Sequence, residues 1–198
     1  MSTKAKILIA SVMFLAIAPI FPASAVGGSQ GIKLRNAVIA TIDSNTKIIT
    51  AIKGGQTYTI DASSATVRRR YGAKANFSEM VVGDYIWVWG TQSGNSITAR
   101  KVKDYSIQKW KGSFTGTITA VDAETYADYL GSYQKFTLQS RHRGLQEVRV
   151  YGNTVIKYRG TAKTFAELLA NYEITAKGIW NNTHSFVYGT SWVKIRKL

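Results

Sequence analysis

From Asn36 onward the chain is written in short runs of alternating apolar and polar residues, each closed by glycine, asparagine or aspartate. That period of two predicts β-strands joined by tight turns. In the first half the runs cover residues 37–42, 47–53, 58–60 and 66–71, with Asp43-Ser44-Asn45, Gly54-Gly55 and Asp61–Ser64 at the bends. Residues 76–82 predict one short helix, with Asn76 or Ser78 as N-cap and Gly83 as its stop. Strands over residues 85–89 and 96–103 follow. The second half repeats the order: strands over 114–121, 133–139, 147–151 and 154–158, a short helix over 164–170, then strands over 173–180 and 186–195.

The repetition extends to individual residues. At an offset of 88, Thr66 and Val67 meet Thr154 and Val155, Phe77 meets Phe165, Glu79 meets Glu167, and Ile86 meets Ile174. Near the start of the unit the offset is 79, where Ile39, Ile42 and Asp43 meet Ile118, Val121 and Asp122. The second copy therefore carries about nine extra residues in its first hairpin, read as an insertion over residues 131–146. An all-β fold is expected: two tandem, small, OB-like five-stranded barrels, each with one short helix. The expected division is a flexible lead-in over 26–35, a first domain over 36–104, a junction over 105–112 and a second domain over 113–198. The junction is short enough to predict that the domains touch.

Three stretches carry a resemblance. Tyr58–Thr66, then Gly83-Asp84-Tyr85-Ile86-Trp87-Val88-Trp89-Gly90, then Ile97–Val102, together resemble a family of small OB-like domains of unknown function. That family is common in exported bacterial proteins, often in tandem. The resemblance covers most of residues 36–104 and implies an exported bacterial β-barrel pair, with no catalytic residues to carry over. The second copy departs from it, with Asn171-Tyr172 in place of Gly83-Asp84.

The first residues change the picture of location. Lys4 and Lys6 precede an apolar run over residues 7–21, Pro19 and Pro22 break it, and Ala23-Ser24-Ala25 follows. The run is 15 residues long, short of the roughly 20 that span a bilayer. A signal peptide over residues 1–25, cut between Ala25 and Val26, is the expectation. It places the protein outside the cytoplasm: extracellular, periplasmic or associated with the envelope. No cysteine exists anywhere in the chain, so neither disulfides nor a lipobox anchor can hold it.

The formal charge of the 198 residues is +15, shared between both halves rather than gathered in a tail. A surface this positive attracts anionic polymers, nucleic acid or acidic glycans. Its densest spot is Arg68-Arg69-Arg70, read either as an edge strand guarded by charge or as a phosphate contact. Arg141-His142-Arg143, placed in the insertion, is a second candidate contact or a solvated hairpin end. In the run Tyr85–Trp89, Ile86 and Val88 have apolar partners in the second copy, whereas Tyr85, Trp87 and Trp89 meet Glu173, Thr175 and Lys177. Tyr85, Trp87 and Trp89 are therefore expected on the outside of the first barrel. There they form either a stacking platform or an interface with the second copy or Trp110.

Catalysis has little support. The histidines are His142 and His184 only, neither in a nucleophile setting. Asp122, Glu124 and Asp128 crowd one turn, which turn formation explains. No zinc or calcium spacing occurs, and no cofactor is expected. Two function classes remain: a non-catalytic module for an anionic polymer, and a structural envelope protein whose aromatic stripe is an interface with a protein partner.

Overall fold

The computed structural model describes residues 30–198; the leader predicted over 1–25, with its Ala25–Val26 cut, lies outside the described residues. Those residues form two sheets. The first contains β1 (Gln30–Asp43), β2 (Ile48–Lys53), β3 (Gln56–Asp61), β4 (Thr66–Arg69), β5 (Tyr85–Ser93) and β6 (Ser96–Asp104). Their order is β3-β2-β1-β5-β6-β4, and β3 also pairs in parallel with β6 from Thr59↔Ser96 to Asp61↔Thr98. Five strands thus close into a barrel, with β4 outside, parallel to β6. Alternation fills it: Leu34, Ile39, Ile49, Ile60, Ile86, Val88, Ile97 and Val102 are all buried inside.

The second sheet contains β7 (Gly112–Asp128), β8 (Gly131–Ser140), β9 (Gly144–Tyr151), β10 (Val155–Tyr158), β11 (Thr161–Lys163), β12 (Glu173–Asn181) and β13 (Phe186–Lys197). Its order is β11-β10-β13-β12-β7-β8-β9, with β9 also parallel to β13 at Phe186↔Glu147 and Val187↔Val148. Phe114, Ile118, Phe136, Leu138, Ile174 and Val193 form its core.

Three expectations change. The helices predicted over 76–82 and 164–170 are single 3-10 turns, Phe77–Glu79 and Phe165–Glu167. In each, the glutamate reaches back to accept from the backbone N–H three residues earlier, Asn76 at 2.9 Å and Thr164 at 2.7 Å. The next residue, Met80 or Leu168, then swings into extended backbone and buries its side chain. Burial ends the turn before a second one forms. Residues 30–35, read as a flexible lead-in, are the first part of β1, where Ile32 and Leu34 stand opposite Gly90 and Val88.

The first hairpins of the two sheets differ in length. Asp43 pairs with Ile48 at the end of β1–β2, whereas Asp122 pairs with Lys135 and the β7–β8 pairing runs on to Asp128↔Gly131. Arg141-His142-Arg143 sits one turn later, between β8 and β9.

Between β5 and β6 the register slips after Trp89, leaving Arg100 as the extra residue of a β-bulge. The backbones crowd there: a Cβ on Gly90 would lie 2.1 Å from the Thr98 carbonyl oxygen. Gly90→Ala is expected to lower stability by about 2 kcal/mol or more, because the backbone must move. Gly94→Ala, with open space around it but a φ of +57 in the tight-turn range, should lose only about 1 kcal/mol. Urea midpoints of the two variants check the difference.

Candidate functional site

Register brings the charges to the rings. On the outer face of the first barrel Lys33 stands opposite Trp89, while Trp89 and Trp87 stand opposite Lys101 and Lys103. The strand β1 bulges between Leu34 and Ala37, with Asn36 at φ 55, and this swings Arg35 and Asn36 over Trp87. The Trp87 indole N–H donates to Asn36 Oδ1 at 2.7 Å, which fixes the ring. Trp87 lies 6.0 Å from Trp89 and 4.5 Å from Tyr105, centre to centre. Cations cover the rings: Lys33 Nζ is 5.0 Å from Trp87 and 5.1 Å from Trp89, and Arg35 is 5.1 Å from Trp87. Lys101 Nζ is 4.3 Å from Trp89, and Lys103 Nζ is 4.7 Å from Tyr105. Each such contact holds a flexible cation in place while leaving it hydrated.

Two adjoining grooves share Trp89 and Arg100 as a wall. One runs past Gly31, Lys33 and Thr98, the other past Thr66, Arg68 and Lys101. No acid of residues 30–104 pairs with the cations of this face. Of the five acidic residues between 30 and 104, Glu79, Asp84 and Asp104 are buried, while Asp43 and Asp61 fold back onto their own turns.

The residues singled out in the sequence divide. Tyr85, Trp87 and Trp89 lie on the outside of the barrel; Tyr85 is 48% exposed, and the rings and cations that meet Trp87 and Trp89 belong to the first sheet and Tyr105. Trp110 does not cover them; it is 66% exposed, under Lys109. The three arginines part company. Arg68 donates to the Gly72 carbonyl at 2.8 Å and borders a groove. Arg69 turns away and forms a two-pronged pair with Glu79, at 2.7 and 3.0 Å. Arg70 lies over the exposed Tyr71. Arg143 covers Phe114 and Trp180, and Arg141 is exposed at the turn. Lys33, Arg35, Lys101, Lys103 and Tyr105 were not singled out in the sequence; the alternation of Lys101 and Lys103 about Val102, matched to that of Trp87 and Trp89 about Val88, is the signal that marks them.

A second polar cluster lies where the two sheets meet. The Asn181 side-chain amide donates to Asp84 Oδ1 at 2.8 Å, and His184 Nε2 is 3.4 Å from the same oxygen. Asp104 Oδ1 accepts from the Ser106 N–H, and the Ser106 and Thr183 hydroxyls meet at 2.6 Å. Asp84 and Asp104 are fully buried, and this cluster joins the two sheets. Burial pushes the Asp104 carboxyl well above the usual carboxylate range, and the neighbouring Asp84 adds to the push. A raised folded-state pKa means that the fold holds this proton more tightly than the unfolded chain. The contribution to stability is therefore full below the unfolded pKa of about 3.9 and is lost as pH rises through the folded value. Asp104→Asn is expected to remove that loss and to be more stable than wild type near neutral pH, with urea midpoints across the pH range as the check.

The chain has no match among curated proteins or among solved structures. Its first barrel does match a family: residues 36–103 carry a domain described as Domain of unknown function (DUF5666).

Proposed function

We propose that this protein is a non-catalytic, exported bacterial module of two tandem OB-type barrels that binds single-stranded nucleic acid through the cation–aromatic face of the first. The tandem reading is supported by matching backbone bonds. Gly83 N–H donates to the Ile39 carbonyl and Ile39 N–H to the Asp84 carbonyl, at 2.8 and 3.0 Å; Asn171, Tyr172 and Ile118 repeat this at 2.8 and 2.9 Å. Asn171 takes φ 71 where Gly83 takes φ 90, a conformation asparagine tolerates best among residues with a Cβ. In both sheets the third and fifth ring strands are parallel, which favours the OB-type Greek-key ring.

The observation that carries the binding reading is the grouping of Trp87, Trp89 and Tyr105 with Lys33, Arg35, Lys101 and Lys103 on one face. Planar rings stack on bases and the cations meet phosphates. An acidic glycan also offers charge, but its many hydroxyls need acceptors. Lysine, arginine and tryptophan only donate, Asn36 Oδ1 already accepts from Trp87, and the Tyr105 hydroxyl is the one other side-chain acceptor in the group. That balance favours nucleic acid.

The test is a tryptophan-fluorescence titration with a mixed-sequence single-stranded oligonucleotide, an acidic glycan and a neutral glycan. Quenching by the oligonucleotide that is lost in Trp89→Ala supports the proposal. Preference for the acidic glycan replaces the ligand. No response to any of the three points to the structural envelope protein, with the aromatic stripe as a protein interface.

A further inference from the structure

Resting on that reading, we infer that the second sheet carries a second, weaker site for the same single-stranded polymer, centred on Trp192. Strand pairing shows it where a fixed sequence offset does not. In the first sheet Trp89 on β5 faces Lys101 on β6, and Arg68 on β4 faces Lys103. In the second sheet Lys177 on β12 faces Trp192 on β13, and Lys157 on β10 faces Lys194. The buried pairs Val88↔Val102 and Ala176↔Val193 fix the equivalence. The tryptophan–lysine pair thus recurs at the same place with its members exchanged between strands. The cation pair beside it recurs as Lys157 and Lys194. At a constant offset of 88, Arg68 falls on Ile156, and this correspondence is lost; the true partner is one residue later.

A groove runs between these residues, lined by Val155, Lys157, Trp192 and Lys194. Trp192 and Lys177 are half-buried, and Lys157 and Lys194 exposed. The acids of the neighbouring segments are engaged elsewhere: Glu167 is held at a pKa of about 2 by Lys163, 2.8 Å away, and Glu173 stands opposite Lys197. One ring of the first face has no counterpart. Thr175 replaces Trp87 and is buried, bonded to Thr115 and to Arg196. A site with one ring and three lysines offers less stacking than the first face, which is why it is the weaker of the two. Two such faces on one chain would let a single strand be held twice, raising avidity without new contacts.

The experiment is calorimetric titration of the whole protein with a short single-stranded oligonucleotide, about eight nucleotides, within the span one barrel covers. The expected result is two bound per chain, the second about tenfold weaker, corresponding to one lost ring. Lys157→Gln with Lys194→Gln, surface changes that leave the core untouched, should remove the weak phase alone, as should Trp192→Ala. Trp87→Ala with Trp89→Ala should remove the tight phase and keep the weak one. One oligonucleotide per chain, indifferent to the changes around Trp192, would overturn the second site while leaving the first standing. A second phase that survives both sets of changes overturns it also, by placing that binding elsewhere. No binding by the wild type would overturn both readings together.

Discussion

Glu79→Ala is expected to be the most damaging single change in the protein, lowering its stability by roughly 3–5 kcal/mol, because it leaves a buried charge without its partner. Glu79 is buried between the sheets. It accepts from Arg69 through both carboxylate oxygens, from the Asn76 N–H at 2.9 Å and from the Tyr188 hydroxyl at 3.0 Å. Removing it strands the Arg69 guanidinium, whose side chain is 17% exposed, beside Tyr188. The elements it ties together come from both halves: β4, the Phe77–Glu79 turn and β13. The extended β7–β8 hairpin joins the same place, since Tyr129 packs edge-on against Tyr188 at 6.3 Å. Tyr188→Phe removes one hydrogen bond and should cost about 1 kcal/mol. Replacing the pair together, Arg69→Met with Glu79→Leu, should be far milder than Glu79→Ala alone, because no unpaired charge remains. Urea unfolding of the three variants orders them; equal losses for Glu79→Ala and Tyr188→Phe would mean that the ion pair carries none of the weight.

The second large effect is on binding. Four cations, Lys33, Arg35, Lys101 and Lys103, hold positions over the rings of the first face. If each neutralises one phosphate, log affinity should fall with log salt at a slope of about −3, a loss of roughly 50-fold between about 50 and 200 mM salt. Lys101→Ala with Lys103→Ala should halve that slope. Trp89→Ala should leave the slope nearly unchanged while weakening binding by roughly 5- to 150-fold, the range for one stacked base. Charge and ring thus separate by which quantity each changes. A slope unaffected by removing both lysines would place the phosphate contacts elsewhere on this basic surface.

The parts of the fold set by alternation were readable in the sequence. Ile86 and Val88 point inward because a strand alternates, and Ile174 and Ala176 are buried in the same way in the second sheet. The outward placement of Tyr85, Trp87 and Trp89 followed from the same comparison. What alternation does not carry is register. Lys33 is 56 residues from Trp89 and meets it only because β1 pairs with β5, bulging at Arg35 and Asn36. The bulge at Arg100 likewise decides which lysine meets which ring. The role of Arg69 was hidden for a different reason. Three adjacent arginines look alike as charge, but β4 turns Arg69 toward Glu79 between the sheets and Arg68 toward the outer groove. The helices shortened to single turns because burial of Met80 and Leu168 outweighed local propensity, which is a weak guide over so few residues.

The most direct measurement follows the indole N–H signals of the five tryptophans by NMR while a single-stranded oligonucleotide is added at low salt. Trp87 and Trp89 should shift first and together, and Trp192 at higher concentration. Trp110, on the junction beyond the first barrel, and Trp180, covered by Arg143, should hold still. Binding that leaves Trp87 and Trp89 unmoved would contradict the account, because the polymer would then lie on some surface other than the cation–aromatic face.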